Sequence, residues 1–201
     1  MSTETGYIDH KGKKMAMWFF LFTEILFFGG MFLLYSIYRY KYTVDFHSAA
    51  AEENIILGTI NTCVLLTSSF TIALSISFIK QGKKDISSVL QLATILMGIA
   101  FLIIKYFEWT AKIDIGIYPN STVLLTLAKG EILFFGLYYV MTGLHGLHVL
   151  VGVVVISFML HFTRTETINR ENYARLENTG LYWHFVDIVW IYLYPLFYLI
   201  T

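Results

Sequence analysis

Five long apolar runs dominate this 201-residue chain and limit it to one kind of fold. A run of about 20 apolar residues can cross the hydrocarbon core of a bilayer as an α-helix. Hydrophobic residues make up 57% of the chain, and the mean hydropathy is +0.64. This apolar share is above that of a typical soluble domain. We therefore expect an all-α protein, an integral membrane bundle of five transmembrane helices.

The apolar runs also define the predicted domain organisation. Residues 1–14 are polar and basic and are interpreted as a short cytoplasmic N-terminal tail, followed by one transmembrane domain over residues 15–201. The first run is longer than the apolar region of a signal peptide, so we expect it to be retained as a helix. The predicted spans lie at about residues 15–38, 55–79, 87–109, 130–161 and 181–200.

Basic residues are distributed unevenly between the loops that join these spans. If the five spans alternate in direction, one side of the membrane carries nine of them: Lys11, Lys13, Lys14, Lys80, Lys83, Lys84, Arg164, Arg170 and Arg175. The other side carries four: Arg39, Lys41, Lys112 and Lys129. Basic loops stay in the cytoplasm, so the N-terminus is predicted to be cytoplasmic and the C-terminus external.

The last apolar run carries two ionisable residues, His184 and Asp187, three positions apart. Helical spacing also puts Trp183, Asp187 and Trp190 on one face. An ionisable pair in a membrane-length segment costs free energy unless it faces protein or water. We therefore expect the pair to face protein or water.

Glu24 lies nine residues into the first run, which corresponds to a depth of ~14 Å along a helix. A carboxyl group at that depth has little water around it, so we expect it to be uncharged. Two interpretations remain open. Glu24 either bonds to a neighbouring helix as a neutral acid or forms a proton-linked or lipid-linked site.

The fourth run contains His145 and His148, spaced i, i+3. Two histidines without a third ligand indicate a metal site only weakly, and hydrogen bonding between helices is the favoured interpretation. Gly143 and Gly146 are predicted to let a neighbouring helix approach closely. Given the alternating spans, His148 falls in the same half of the membrane as His184 and Asp187, so polar residues of three spans could form one network.

Other residues exclude several functions. Six scattered histidines are too few to hold haems and copper, and the single cysteine excludes a cysteine-pair metal site. A formal net charge of zero gives no electrostatic argument for nucleic acid.

Lys105, Glu108 and Lys112 are interpreted as an ion-paired helix end that snorkels to the membrane surface.

Five motifs in order resemble one family, subunit III of the haem-copper cytochrome c oxidases. They are KMAMWFFLFTEILFFGGMF (14–32), LGTINTCVLLTSSFTIALS (57–75), FLIIKYFEWT (101–110), MTGLHGLHVLVG (141–152) and NTGLYWHFVDIVWIYLYPLFYLI (178–200). Longer members of that family have seven helices, and this chain is similar to the last five.

The resemblance implies a non-redox subunit III of an aa3-type cytochrome c oxidase in a bacterial cytoplasmic (inner) membrane. Haem and copper would lie in partner subunits, with none on this chain. The chain would pack directly on subunit I, share a complex with subunit II, and take part in a respiratory supercomplex. It would bind phospholipids and support proton uptake and turnover stability. Glu24 would match the family's carbodiimide-reactive carboxyl group, which lies beside lipids in a cleft.

Three alternatives remain open from the residues themselves. The chain could be the subunit III-like component of a quinol oxidase or nitric oxide reductase, which its partner subunits would decide. A stand-alone transporter would favour internal repeats and helices broken at mid-membrane. A metal-binding enzyme would need a third ligand beside His145 and His148.

Overall fold

The chain is almost entirely helical in the computed structural model, which describes residues 2–199 and the side chains of residues 12 and 15–199. No strand occurs among these residues, so the all-α prediction is confirmed. The helices are α1 (Ser2–Lys41), α2 (Thr43–Ala51), α3 (Ile55–Lys80), α4 (Lys84–Asp114), α5 (Thr122–Leu125), α6 (Lys129–Arg164) and α7 (Ala174–Tyr194), and α7 continues into a π-helical turn (Pro195–Leu199).

Four of the five predicted spans are helices with the length and hydropathy to cross a membrane. They are the Met15–Lys41 part of α1, and α3, α4 and α6 in full. The predicted fifth span does not meet the same criterion, because Glu177, His184 and Asp187 lower the hydropathy of α7. The prediction of five transmembrane helices is therefore confirmed for four of them.

Helix α1 lies at the edge of the bundle, where it packs on α6 and α7. Only 11% of the most apolar stretch of α1 is buried inside the protein, whereas the corresponding share is 39% in both α4 and α6. Most large side chains of α1 therefore face outward, as expected for a helix surrounded by lipid.

Helix α7 lies in the interior and packs against α3 and α6. Trp183, Asp187 and Trp190 are all buried, so the face that they share points into the bundle. The two indole N–H groups donate to hydroxyl groups of α3, from Trp183 to Ser68 and from Trp190 to Thr62, both at 3.0 Å. Pro195 has no N–H to donate, and the α-helix gives way to the π-helical turn at that residue.

The indole of Trp183 is held between two glycines that sequence reasoning missed. A Cβ added to Gly98 of α4 would come within 2.9 Å of this ring, and one added to Gly152 of α6 within 2.7 Å. Any larger residue at either position would collide with the indole. The two glycines therefore bring three helices together around one tryptophan.

Candidate functional site

The predicted residue Glu24 lies on the inward side of α1 and pairs with α6. Its Oε2 is 3.2 Å from Nε2 of His148, whose Nδ1 bonds the carbonyl of Leu144 at 2.8 Å. The Glu24 side chain is 20% exposed. The pair therefore joins two helices while the carboxyl group stays accessible at the edge of the bundle.

Aromatic residues of α1 and α7 pack on and around the histidine of this pair. Phe28 of α1 contacts the His148 ring with centroids 5.3 Å apart, and Phe28 also contacts Phe185 of α7 at 6.2 Å. Tyr182 donates to the backbone carbonyl of His148 at 3.0 Å. Residues from α1, α6 and α7 thus fix the geometry of the Glu24–His148 pair.

His184 and Asp187 form a second polar group, joined to α3. Nδ1 of His184 lies 2.5 Å from the Ser69 hydroxyl group, whereas Oδ1 of the buried Asp187 has no hydrogen-bond partner among the described residues. Among the described residues, no hydrogen bond connects this group to Glu24 or His148. The structure therefore shows two separate polar pairs where sequence reasoning proposed one network.

His145 belongs to neither pair. It is fully buried, and neither ring nitrogen has a hydrogen-bond partner among the described residues. Its ring packs against Phe101 at 5.5 Å and against Trp190 at 5.2 Å. Its contribution is therefore to packing between α4, α6 and α7.

The two glycines predicted to allow close helix approach differ from each other. A Cβ at Gly143 would lie 3.0 Å from Trp109 of α4, so a larger residue there would require the Trp109 ring to shift slightly. A Cβ at Gly146 would lie 4.0 Å from Leu102, which is ordinary contact.

A buried polar cluster occupies the end of the bundle opposite the α3–α4 turn, and we call it the Glu108 cluster. Its members come from four parts of the chain, namely Glu53, Lys105, Glu108, Lys112, Tyr138 and Tyr198. Lys105 and Lys112 are each only 7% exposed. The interpretation of these lysines as a snorkelling helix end is therefore wrong, because partners from other helices enclose them.

Glu108 is the centre of this cluster. Tyr138 and Tyr198 each donate to its Oε1 at 2.5 Å, and the Lys105 ammonium lies 3.2 Å away. The same ammonium lies 4.8 Å from the centre of the Trp190 ring, a cation–π contact. One carboxylate thus connects α4, α6 and the π-helical turn.

Glu53, in the turn between α2 and α3, completes the cluster. Its Oε1 lies 2.9 Å from the Lys112 ammonium, and the residue is 5% exposed. Burial raises the pKa of the Glu53 carboxyl to about 7, although Lys112 acts in the opposite direction. No sequence pattern singled out Glu53, since it lies in a short loop and its partner is far away in the chain.

An apolar groove runs between α1 and α7, with a cavity volume of about 480 Å³. Its walls include Trp18, Ile25 and Phe28 of α1 and Phe185 and Ile188 of α7. His184 also lines it, and Phe28 connects it to His148. His184 therefore lies on a groove of a size that accepts an apolar chain, and Phe28 stands between that groove and the Glu24–His148 pair.

Among the described residues, no group of three or more His, Cys, Asp or Glu side chains could hold a metal ion.

Known proteins match the chain along nearly its whole length. A protein named heme-copper oxidase subunit I+III from Aeropyrum pernix is 32% identical over 206 residues, which cover 97% of this chain and 24% of that protein. Proteins named probable quinol oxidase subunit 3 from Staphylococcus haemolyticus and Staphylococcus saprophyticus are each 28% identical over 207 residues, covering all of this chain and 97% of each relative.

The family assignment rests on a match that spans the fold. The sequence profile of cytochrome c oxidase subunit III matches residues 3–201. This match and the four long apolar helices make the chain a multi-pass membrane protein. The chain belongs to the cytochrome c oxidase subunit III family, whose members form a complex with subunit I of haem-copper oxidases.

Proposed function

We propose that this chain is the non-redox subunit III of an aa3-type, oxygen-reducing and proton-pumping oxidase. In this role it supports subunit I through lipid binding, proton uptake and turnover stability, while haem and copper lie in the partner subunits. The observation that carries the proposal is the Glu24–His148 pair beside an apolar groove. This arrangement suits a carboxyl group that interacts with lipid and has no direct part in electron transfer.

Phospholipid acyl chains are the proposed occupants of the groove between α1 and α7. Nearly all of its lining is apolar, and α1 is the least buried of the four long apolar helices. A bound lipid would fill the space between the two helices and hold α1 in place. By holding α1 against α7, the bound acyl chains would also keep Glu24 next to His148 during turnover.

We also propose that α7 crosses the membrane as the fifth span, since protein surrounds its polar residues and so lowers the free-energy cost of placing them there. The N-terminus would then be cytoplasmic and the C-terminus external, in a bacterial cytoplasmic membrane. Reporter fusions after Thr201 and within residues 165–173 should report opposite sides of the membrane. Reports from the same side would mean that α7 does not cross.

Two electron donors are compatible with this role. Cytochrome c is the donor implied by the sequence motifs. Quinol is the second candidate, because relatives that match over 97% of their own length are named as quinol oxidase subunits. The donor depends on subunit II, since a copper-binding subunit II implies cytochrome c.

Purification of the tagged chain in mild detergent tests the proposal. We expect the chain to bring with it a haem-containing subunit I, a subunit II and phospholipid, and to be colourless when separated from them. Oxygen uptake by the complex with reduced cytochrome c or with quinol identifies the donor. Stoichiometric haem or copper on the separated chain, or purification without subunit I, would contradict the proposal.

A further inference from the structure

Glu53 is a buried carboxylic acid outside the long apolar helices. It lies between α2 and α3 and is 5% exposed, whereas its neighbour Glu52 is exposed. Glutamate is rarely so deeply buried unless it is paired. The pairing partner is Lys112, whose ammonium is 2.9 Å from Oε1 and whose own side chain is buried.

Groups from three elements face this carboxyl group. The titratable and charged side chains that act on it are Lys105, Glu108 and Lys112 of α4, Tyr138 and Tyr139 of α6, and Tyr198 of the π-helical turn. Lys112 and Lys105 stabilise a negative charge on Glu53, whereas Glu108 opposes it. Loss of water around the carboxyl group opposes its charge more strongly than any of these groups.

Each carboxyl group of the cluster lies beside one lysine, Glu108 beside Lys105 at 3.2 Å and Glu53 beside Lys112 at 2.9 Å. Protonation of Glu53 removes the negative charge next to the Lys112 ammonium. That ammonium lies 5.5 Å from the centre of the Phe135 ring and 5.4 Å from that of Tyr138, so loss of its counter-charge would act directly on α6.

We propose that the buried Glu53 carboxyl and the Lys112 ammonium beside it form a proton-binding site, which takes up and releases one proton. The step is a simple equilibrium in which the Glu53 carboxylate accepts a proton from solvent and becomes a neutral carboxylic acid. This site is separate from the Glu24–His148 pair, so the inference goes beyond the supporting role proposed above. It makes the end of the bundle opposite the α3–α4 turn sensitive to pH.

The balance between burial and the ion pair supports this inference. Burial alone would keep the acid protonated, and Lys112 alone would keep it ionised. Burial is the larger effect and raises the pKa of Glu53 to about 7. The carboxyl group should therefore be neutral below that pH and charged above it.

Infrared difference spectroscopy of the assembled oxidase complex, with ¹³C-labelled glutamate in this subunit, tests the proposal. The expected result is a carboxylic acid C=O band that disappears as the pH rises through neutrality. Glu53→Gln should abolish this band, whereas the exposed matched control Glu52→Gln should retain it. If the band survives Glu53→Gln, or titrates near the ordinary glutamate pKa of about 4.3, the proposal is wrong.

A second variant, Lys112→Met, tests the role of the lysine and is informative even if the Glu53→Gln complex does not assemble. Lys112→Met removes the cation that favours ionisation, so the midpoint of the band should move to higher pH. Glu53→Asp keeps a carboxyl group, and with ¹³C-labelled aspartate in the subunit it should show a titrating band of its own. An unchanged or lower midpoint in Lys112→Met would show that the titrating group is not the one paired with Lys112, and would overturn the proposal.

Discussion

Two glutamates in long apolar helices, Glu24 and Glu108, have opposite surroundings. Glu24 lies on the weakly buried helix α1 and has one side-chain partner, His148, at 3.2 Å. Glu108 is 4% exposed and accepts hydrogen bonds from Lys105, Tyr138 and Tyr198. The comparison shows that an acid in an apolar helix can either be enclosed by several polar partners or lie at the edge of the bundle and remain partly exposed.

Packing of the parent helices explains the difference. Helix α4 packs against both α3 and α6, so Glu108 is enclosed by protein on several sides. Helix α1 contacts the bundle along one side only, and its other faces carry exposed aromatic and aliphatic side chains. We therefore expect substitutions at Glu108 to change stability, and substitutions at Glu24 to change the behaviour of the complex during turnover.

The largest effect should come from Glu108→Ala. This change leaves the Lys105 ammonium buried without its counter-charge, and breaking a buried pair in this way costs about 3–5 kcal/mol. Thermal unfolding of the purified complex and the yield of assembled subunit III measure the loss. The exposed Glu52→Ala should stay within about 0.5 kcal/mol of the wild type. Equal stability of the two variants would show that the Glu108 cluster does not hold the fold.

A smaller loss is expected at the glycine that contacts Trp183. Gly152→Ala places a methyl group 2.7 Å from the indole, and such overpacking costs about 1–3 kcal/mol. Gly136→Ala, on the same helix, meets nothing within 4 Å and should stabilise α6 by up to about 1 kcal/mol. Thermal unfolding of both variants compares them directly. The same sign for both changes would contradict the packing described for α7.

The smallest effect on stability should come from His148→Phe. A partly exposed pair contributes about 0.2–1 kcal/mol, so its loss should barely change the unfolding temperature. Removal of the imidazole frees the Glu24 carboxyl, and labelling by an apolar carbodiimide should become faster. His161→Phe, at an exposed position near the end of α6, is the control. Labelling rates that do not change in His148→Phe would show that the pair does not restrain Glu24.

Sequence patterns were sufficient for much of the fold. Run length located four membrane-length helices, and i, i+4, i+7 spacing put Trp183, Asp187 and Trp190 on one face of α7, which the structure shows to be buried. Both features depend on residues within one helix. The short helix α2 was missed because it lies in a segment without a long apolar run.

Features that depend on distant residues could not be predicted. Lys105 and Lys112 look like a helix end that reaches the membrane surface until Tyr138, Tyr198 and Glu53 are placed around them. Gly152 is needed because of Trp183, which belongs to another helix. Conversely, the single network proposed for Glu24, His184 and Asp187 proved to be two pairs, because depth in the membrane does not determine which helix faces meet.

The most direct test of the supporting role is the activity of the assembled oxidase with Glu24 replaced. Initial oxygen-reduction rates and inactivation rates during turnover would be measured for Glu24→Gln and Glu24→Ala. We expect Glu24→Gln to keep the wild-type initial rate, because no electron passes through this residue. Glu24→Ala should keep most of that rate but inactivate faster and retain less lipid. Complete loss of initial activity in a fully assembled Glu24→Gln complex would contradict the account, because it would make Glu24 obligatory for catalysis.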